Sequence, residues 1–150
     1  MRRLPPSMRW LGYLGLLPFF ILSLSLLAHI SLPGLANARL DWWLAAYAAL
    51  VLSFLGAIYW GMVLGMQDWI SEADNRKLIQ VSVLPSLGAW FSLLLPIKAA
   101  LLALAILLAL AYAADVWLLY KHIKLYPDYL RLRRNLTVAS VILMLLAAIA

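Results

Sequence analysis

Ala99–Tyr120 reads AALLALAILLALAYAADVWLLY, twenty-two residues with one charge, Asp115, and no turn-forming pair. About 20 apolar residues span the hydrocarbon core of a bilayer as a helix. Four more apolar runs flank this one: 10–32, 42–66, 78–95 and 135–150. None alternates with period two, which excludes a membrane barrel and leaves helices. Turn signals separate the runs: Pro33-Gly34, Pro96 followed by Lys98, and Pro127-Asp128, where proline suits the first turn of a helix. Asp74 or Asn75 is expected to cap the third. The sequence predicts an all-α integral membrane protein, a single domain over residues 1–150 formed by a bundle of about five transmembrane helices with short loops.

Composition agrees. Of 150 residues 67% are hydrophobic and 12% charged, about half the charged share that a soluble domain uses to cover its surface. Mean hydropathy is +0.96. The net charge of +6 would suggest nucleic acid in a soluble protein. In a membrane protein the placement of the charge matters more, and no nucleic-acid partner is expected. Ten of the twelve Lys and Arg residues fall at the amino end, in 67–77 and in 121–134, which share one side of a five-span chain; Arg39 and Lys98 lie on the other. The positive-inside rule then places the amino end in the cytoplasm and Ala150 in the periplasm of a bacterial inner membrane. Arg2-Arg3, the first apolar run and Ala36-Asn37-Ala38 imitate a secretory signal, but the run is longer than such a segment needs and reads as a span.

The chain offers little apparatus for catalysis. It has no cysteine, and His29 and His122 fall on opposite sides of the hydrocarbon, so neither thiolate nor paired-histidine metal chemistry is available. Asp68, Glu72 and Asp74 share a polar segment with Arg76 and Lys77, as a solvated turn would. No glycine-rich phosphate loop exists, and Ser53 and Ser86 have no nearby base. No cofactor, metal or enzymatic activity is expected. Trp10, Trp69 and Trp117 on one side and Trp42 and Trp43 on the other suit interfacial belts, while Trp60 and Trp90 are expected deeper, filling gaps between helices.

Two features stand out. Asp115 is the one ionisable residue well inside a span. A lone carboxylate there is costly unless protonated, hydrated or paired. Arg131, Arg133 and Arg134 are the partners within reach. In the second span Ala45, Ala49, Ser53, Ala57, Gly61 and Gly65 recur every fourth residue, a small-xxx-small row on which a neighbouring helix or a second copy could approach closely. Ala105, Ala109 and Ala113 form a shorter row on the fourth.

Several runs together resemble a bacterial and mitochondrial membrane family of unknown function, domain of unknown function 3429, the transmembrane protein sixty-nine-like proteins. They are Leu11-Gly12-Tyr13-Leu14-Gly15-Leu16-Leu17-Pro18-Phe19, Leu52-Ser53-Phe54-Leu55-Gly56-Ala57-Ile58-Tyr59-Trp60-Gly61, Leu84-Pro85-Ser86-Leu87 with Trp90, Asp115, Tyr126-Pro127, and Leu132-Arg133 with Leu136-Thr137. Ala57 replaces a usual glycine, and Tyr59 a frequent basic or imidazole side chain. The resemblance implies membrane location, favours Arg133 among the three arginines as the partner of Asp115, and assigns no reaction, cofactor or substrate.

By the expected topology Gly15, Pro18, Ser53, Gly56, Tyr59, Trp60, Gly61, Pro85, Ser86, Trp90, Asp115 and Arg133 form the candidate ligand site or packing node, most of them in the cytoplasmic half of the bilayer. The leading functional expectation is a non-enzymatic inner-membrane accessory, assembly or packing partner of a larger membrane system. Its partners would be membrane lipids and a membrane protein or a second copy. The alternatives are a binding module for a lipid, quinone or other apolar ligand, and a small transporter or proton path through Asp115.

Overall fold

The computed structural model describes residues 3–34, 39–66, 68–119 and 127–150, and every regular element among them is an α-helix. In chain order these are α1 (Pro6–Leu14), α2 (Leu17–Ala28), α3 (Leu40–Gly65), α4 (Glu72–Ser82), α5 (Leu84–Ser92), α6 (Ile97–Leu119) and α7 (Pro127–Ile149). Four stretches are long and apolar enough to cross a membrane: α1 with α2, α3, α6 and α7.

Prolines set the breaks. Pro18 and Pro85 lack the N–H that would bond four residues back, so α1 stops at Leu14 and α4 at Ser82, and each proline instead opens the next helix. The third span, expected as one run over 78–95, is therefore two short helices that begin earlier, at Glu72. The cap of α4 is neither Asp74 nor Asn75 but Ser71, whose Oγ accepts from the Asp74 N–H at 3.2 Å. At the end of α2, His29 adopts a left-handed conformation (φ 53°). Its N–H bonds to the Leu26 carbonyl and that of Ile30 to Ser25, the paired closure that usually employs glycine. The last helix starts at Pro127 rather than 135, because hydropathy marks only the part of a helix that faces lipid and α7 carries two polar turns before it.

The helices alternate in direction. One apolar cluster joins Phe19 and Leu22 of α2, Leu44 and Ala48 of α3, Ala89 of α5, Leu101 and Leu104 of α6, and Met144 and Ala147 of α7. A second, at the other end of the bundle, joins Tyr59 and Val63 of α3, Ile70, Leu78 of α4 and Leu119 of α6. The α1–α2 pair thus runs up and α3 runs down. The α4–α5 pair returns along the length of α3, about 30 Å at 1.5 Å per residue. Then α6 descends and α7 ascends, and the two ends of the described chain lie at opposite ends of the bundle.

The small-residue row on α3 packs only in part. Ala45 and Ala49 are buried, but Ser53, Ala57, Gly61 and Gly65 are exposed, and nothing lies within 4 Å of where a Cβ would sit on Gly61 or Gly65. Residues four apart are displaced by about 40° around a helix, so five such steps carry the row to the opposite face. The row on α6 leaves the core in the same way: Ala105 is buried, Ala109 and Ala113 exposed. Of the α3 glycines only Gly56, off the row, is closely approached: an added Cβ there would overlap the Ser82 carbonyl oxygen.

Candidate functional site

Asp115 lies on the inner face of α6, one turn before its end, and two neighbouring helices each offer it a donor. The Arg133 guanidinium comes from α7. Its Nε donates to Asp115 Oδ2 at 2.7 Å, and Nη2 lies 2.6 Å from the same oxygen. The Tyr59 hydroxyl of α3 donates to Oδ1. Both charged side chains are enclosed, with 6% and 7% of their surfaces exposed. Arg133 Nη1 reaches Thr137 Oγ1, one turn further along α7, at 3.4 Å, and the Ser140 hydroxyl donates to the Thr137 carbonyl. Tyr129, one turn before Arg133, packs against the lower apolar cluster beside Tyr59.

The local folding that produces this group is simple. Helices α6 and α7 are consecutive and antiparallel, so a charge near the end of one faces a charge near the start of the other. Each charge alone would be expensive in lipid; together, with a phenol on the remaining oxygen, they form a neutral unit that ties three helices. Chemically it is a clamp. Both carboxylate oxygens accept a hydrogen bond from a neighbouring helix.

A second node lies one turn along α3. Gly56 admits the Ser82 carbonyl and lies near Pro85, and Trp60 Nε1 donates to Ser82 Oγ at 2.7 Å. Ser82 Oγ in turn donates to the Ile79 carbonyl, two residues from the Val81 carbonyl that Pro85 cannot serve.

The other expected site residues lie apart from these nodes. The Gly15 carbonyl accepts from the Tyr47 hydroxyl at 2.7 Å, and Tyr47 meets Phe19 edge to face. Pro18 is half-buried. Ser53 is exposed and Ser86 half-buried, and their hydroxyls donate to the carbonyls of Ala49 and Val83. Trp90 does not fill an interhelical gap: it is 58% exposed and stacks beside Phe91, while Trp60 is 49% exposed despite its hydrogen bond. Gly61 is open to the outside. The twelve residues thus form two adjacent nodes and scattered surface positions rather than one site. Ser82, Tyr47 and Thr137 carry part of the structure and were not singled out by chemistry; Thr137 alone had a spacing signal, four residues after Arg133.

Trp10, Trp69 and Trp117 are exposed at the end of the bundle that holds Arg133, and Trp43 at the other, with Lys77 over the Trp117 ring and Arg39 over Trp42. Among the described residues no three His, Cys, Asp or Glu side chains gather as metal ligands. Ala36–Ala38, Gln67, Lys121, His122, Lys124 and Tyr126 lie outside the described residues.

A family model described as "Protein of unknown function (DUF3429)" matches residues 4–149. The chain is also similar to Transmembrane protein 69 of Xenopus tropicalis, 31% identical over 148 residues, which cover 91% of this chain and 51% of that protein. The chain therefore spans about half the length of that curated relative. No solved structure matches it.

Proposed function

The chain belongs to the DUF3429 family of proteins of unknown function, and on that footing we propose that it is a non-enzymatic, multi-pass protein of the bacterial inner membrane that serves as an accessory, assembly or packing partner of a larger membrane system. The observation that carries this reading is the closed Tyr59–Asp115–Arg133 group. The intramembrane acid directs both oxygens to helix-to-helix contacts, as a group that holds the bundle together would. The outward turn of Ser53, Ala57, Gly61 and Gly65 adds support, because small residues on a lipid-facing surface let a second helix come close. The charge distribution supports an amino end in the cytoplasm: Arg9, Arg76, Lys77 and Arg131 gather at the end of the bundle that holds Arg133, against Arg39 and Lys98 at the other.

Extraction of the full chain from its native membrane in a mild detergent, followed by native mass spectrometry, tests the reading. A protein partner in fixed stoichiometry that is lost from Gly61→Leu, with the thermal stability of the chain unchanged, is the expected result. A chain that comes out alone, or with one bound small apolar molecule, would overturn it.

A further inference from the structure

Helices α1 and α7 run side by side in the same direction from the cationic end of the bundle. Their register is fixed at two places. A Cβ on Gly12 would lie 3.3–3.6 Å from Leu132 and Leu136, and Asn135 Nδ2 donates to the Tyr13 hydroxyl at 3.3 Å. Four residues before Tyr13 is Arg9, and four before Asn135 is Arg131. One helical turn separates residues four apart, so the two arginines come side by side just beyond the Tyr13–Asn135 bond. Both are exposed, and among the described residues neither is ion-paired. Asp128, half-buried and three residues before Arg131, is the one carboxylate on this flank, so the site keeps an excess of positive charge. Two adjacent, unpaired guanidiniums repel each other unless an anion bridges them, and arginine meets phosphate oxygens through paired N–H donors.

Further into the membrane the same flank of α7 continues through Val138 and Ile142, 53% and 51% exposed. Leu17 and Phe20 of α2 expose apolar surface at corresponding heights. Charge at the interface, a hydroxyl–amide pair beneath it and an apolar track below that follow the order of phosphate, ester and acyl chain in a phospholipid.

We propose that Arg9 and Arg131, above the Tyr13–Asn135 hydrogen bond, form a seat for the headgroup of an anionic phospholipid in the seam between α1 and α7. The seat is separate from the buried Asp115–Arg133 pair, whose guanidinium is already committed. Arg76 provides an internal control. It is exposed but stands on α4, which packs against α3 and α5 rather than in the seam.

The experiment is native mass spectrometry of the full chain released from bilayers of mixed phosphatidylglycerol and phosphatidylcholine. The wild-type chain should retain one phosphatidylglycerol in preference to phosphatidylcholine. Arg9→Gln with Arg131→Gln should reduce that preference about tenfold, and Arg76→Gln should leave it unchanged. The two single substitutions, each with an intermediate loss, carry the test if the double variant does not fold. An unchanged preference in the Arg9 and Arg131 variants, or an equal loss in Arg76→Gln, would overturn the proposal.

Discussion

Gly56 on α3 meets the carbonyl of Ser82, the last residue of α4, with no room for a side chain between them. The contact is backbone to backbone, and it holds the break between α4 and α5 against the longest helix of the bundle. Gly56→Ala should therefore lower stability by about 1–3 kcal/mol, since relief requires moving a helix rather than a side chain. Gly61→Ala meets open space and should leave stability equal or slightly raised, because alanine favours the helix. Unfolding in detergent followed by tryptophan fluorescence compares the two. Equal losses would mean that the helix is gripped along the whole small-residue row.

The buried ion pair should show strong coupling. Asp115→Asn or Arg133→Met alone should cost about 3–5 kcal/mol, because each leaves its partner's polar group buried without its counter-charge. The double substitution should cost much less than the sum. A double-mutant cycle on unfolding free energies measures this, and additive losses would deny the coupling.

Tyr59→Phe should be milder. It removes one hydrogen bond to a charged acceptor while the guanidinium stays in place, a loss of about 1.5–3 kcal/mol. Combined with Asp115→Asn it should add little. A Tyr59→Phe variant as damaged as Asp115→Asn would show that the phenol, not the guanidinium, dominates the clamp.

His29 holds a left-handed backbone conformation that glycine adopts without steric cost. His29→Gly should raise stability by about 1 kcal/mol, read as a higher midpoint of thermal unfolding. A lower midpoint would assign the imidazole a contact of its own.

The membrane bundle was legible in the sequence because so few charges interrupt the apolar runs, and the pairing of Asp115 with an arginine of the 131–134 run because they stand at the facing ends of consecutive apolar segments; the choice of Arg133 among the three came from the family resemblance. Tyr59 was harder to place. A tyrosine in an apolar run carries no hydropathy signal of its own, and nothing local says that α3 will present it at the depth of Asp115. The break at Val83 was written in Leu84-Pro85, yet an average over the run hides a single missing N–H. The row from Ala45 to Gly65 misled for a geometric reason: a four-residue repeat is straight in the sequence and spirals on the helix. The Gly56 contact had no periodic signal, because one close crossing needs one glycine.

Asp115 precedes Arg133 by 18 residues, and a ribosome delivers the chain from its amino end. The acid thus emerges first, on a segment whose hydropathy is the highest of the four membrane-crossing stretches, while the arginine follows on the least apolar one. Alone in the lateral gate of a translocon, the later segment would have to bring a cation into lipid; beside its predecessor it finds the counter-ion already waiting. The order of synthesis and the placement of two charges would let the α6–α7 hairpin partition into the bilayer as an electrically balanced pair.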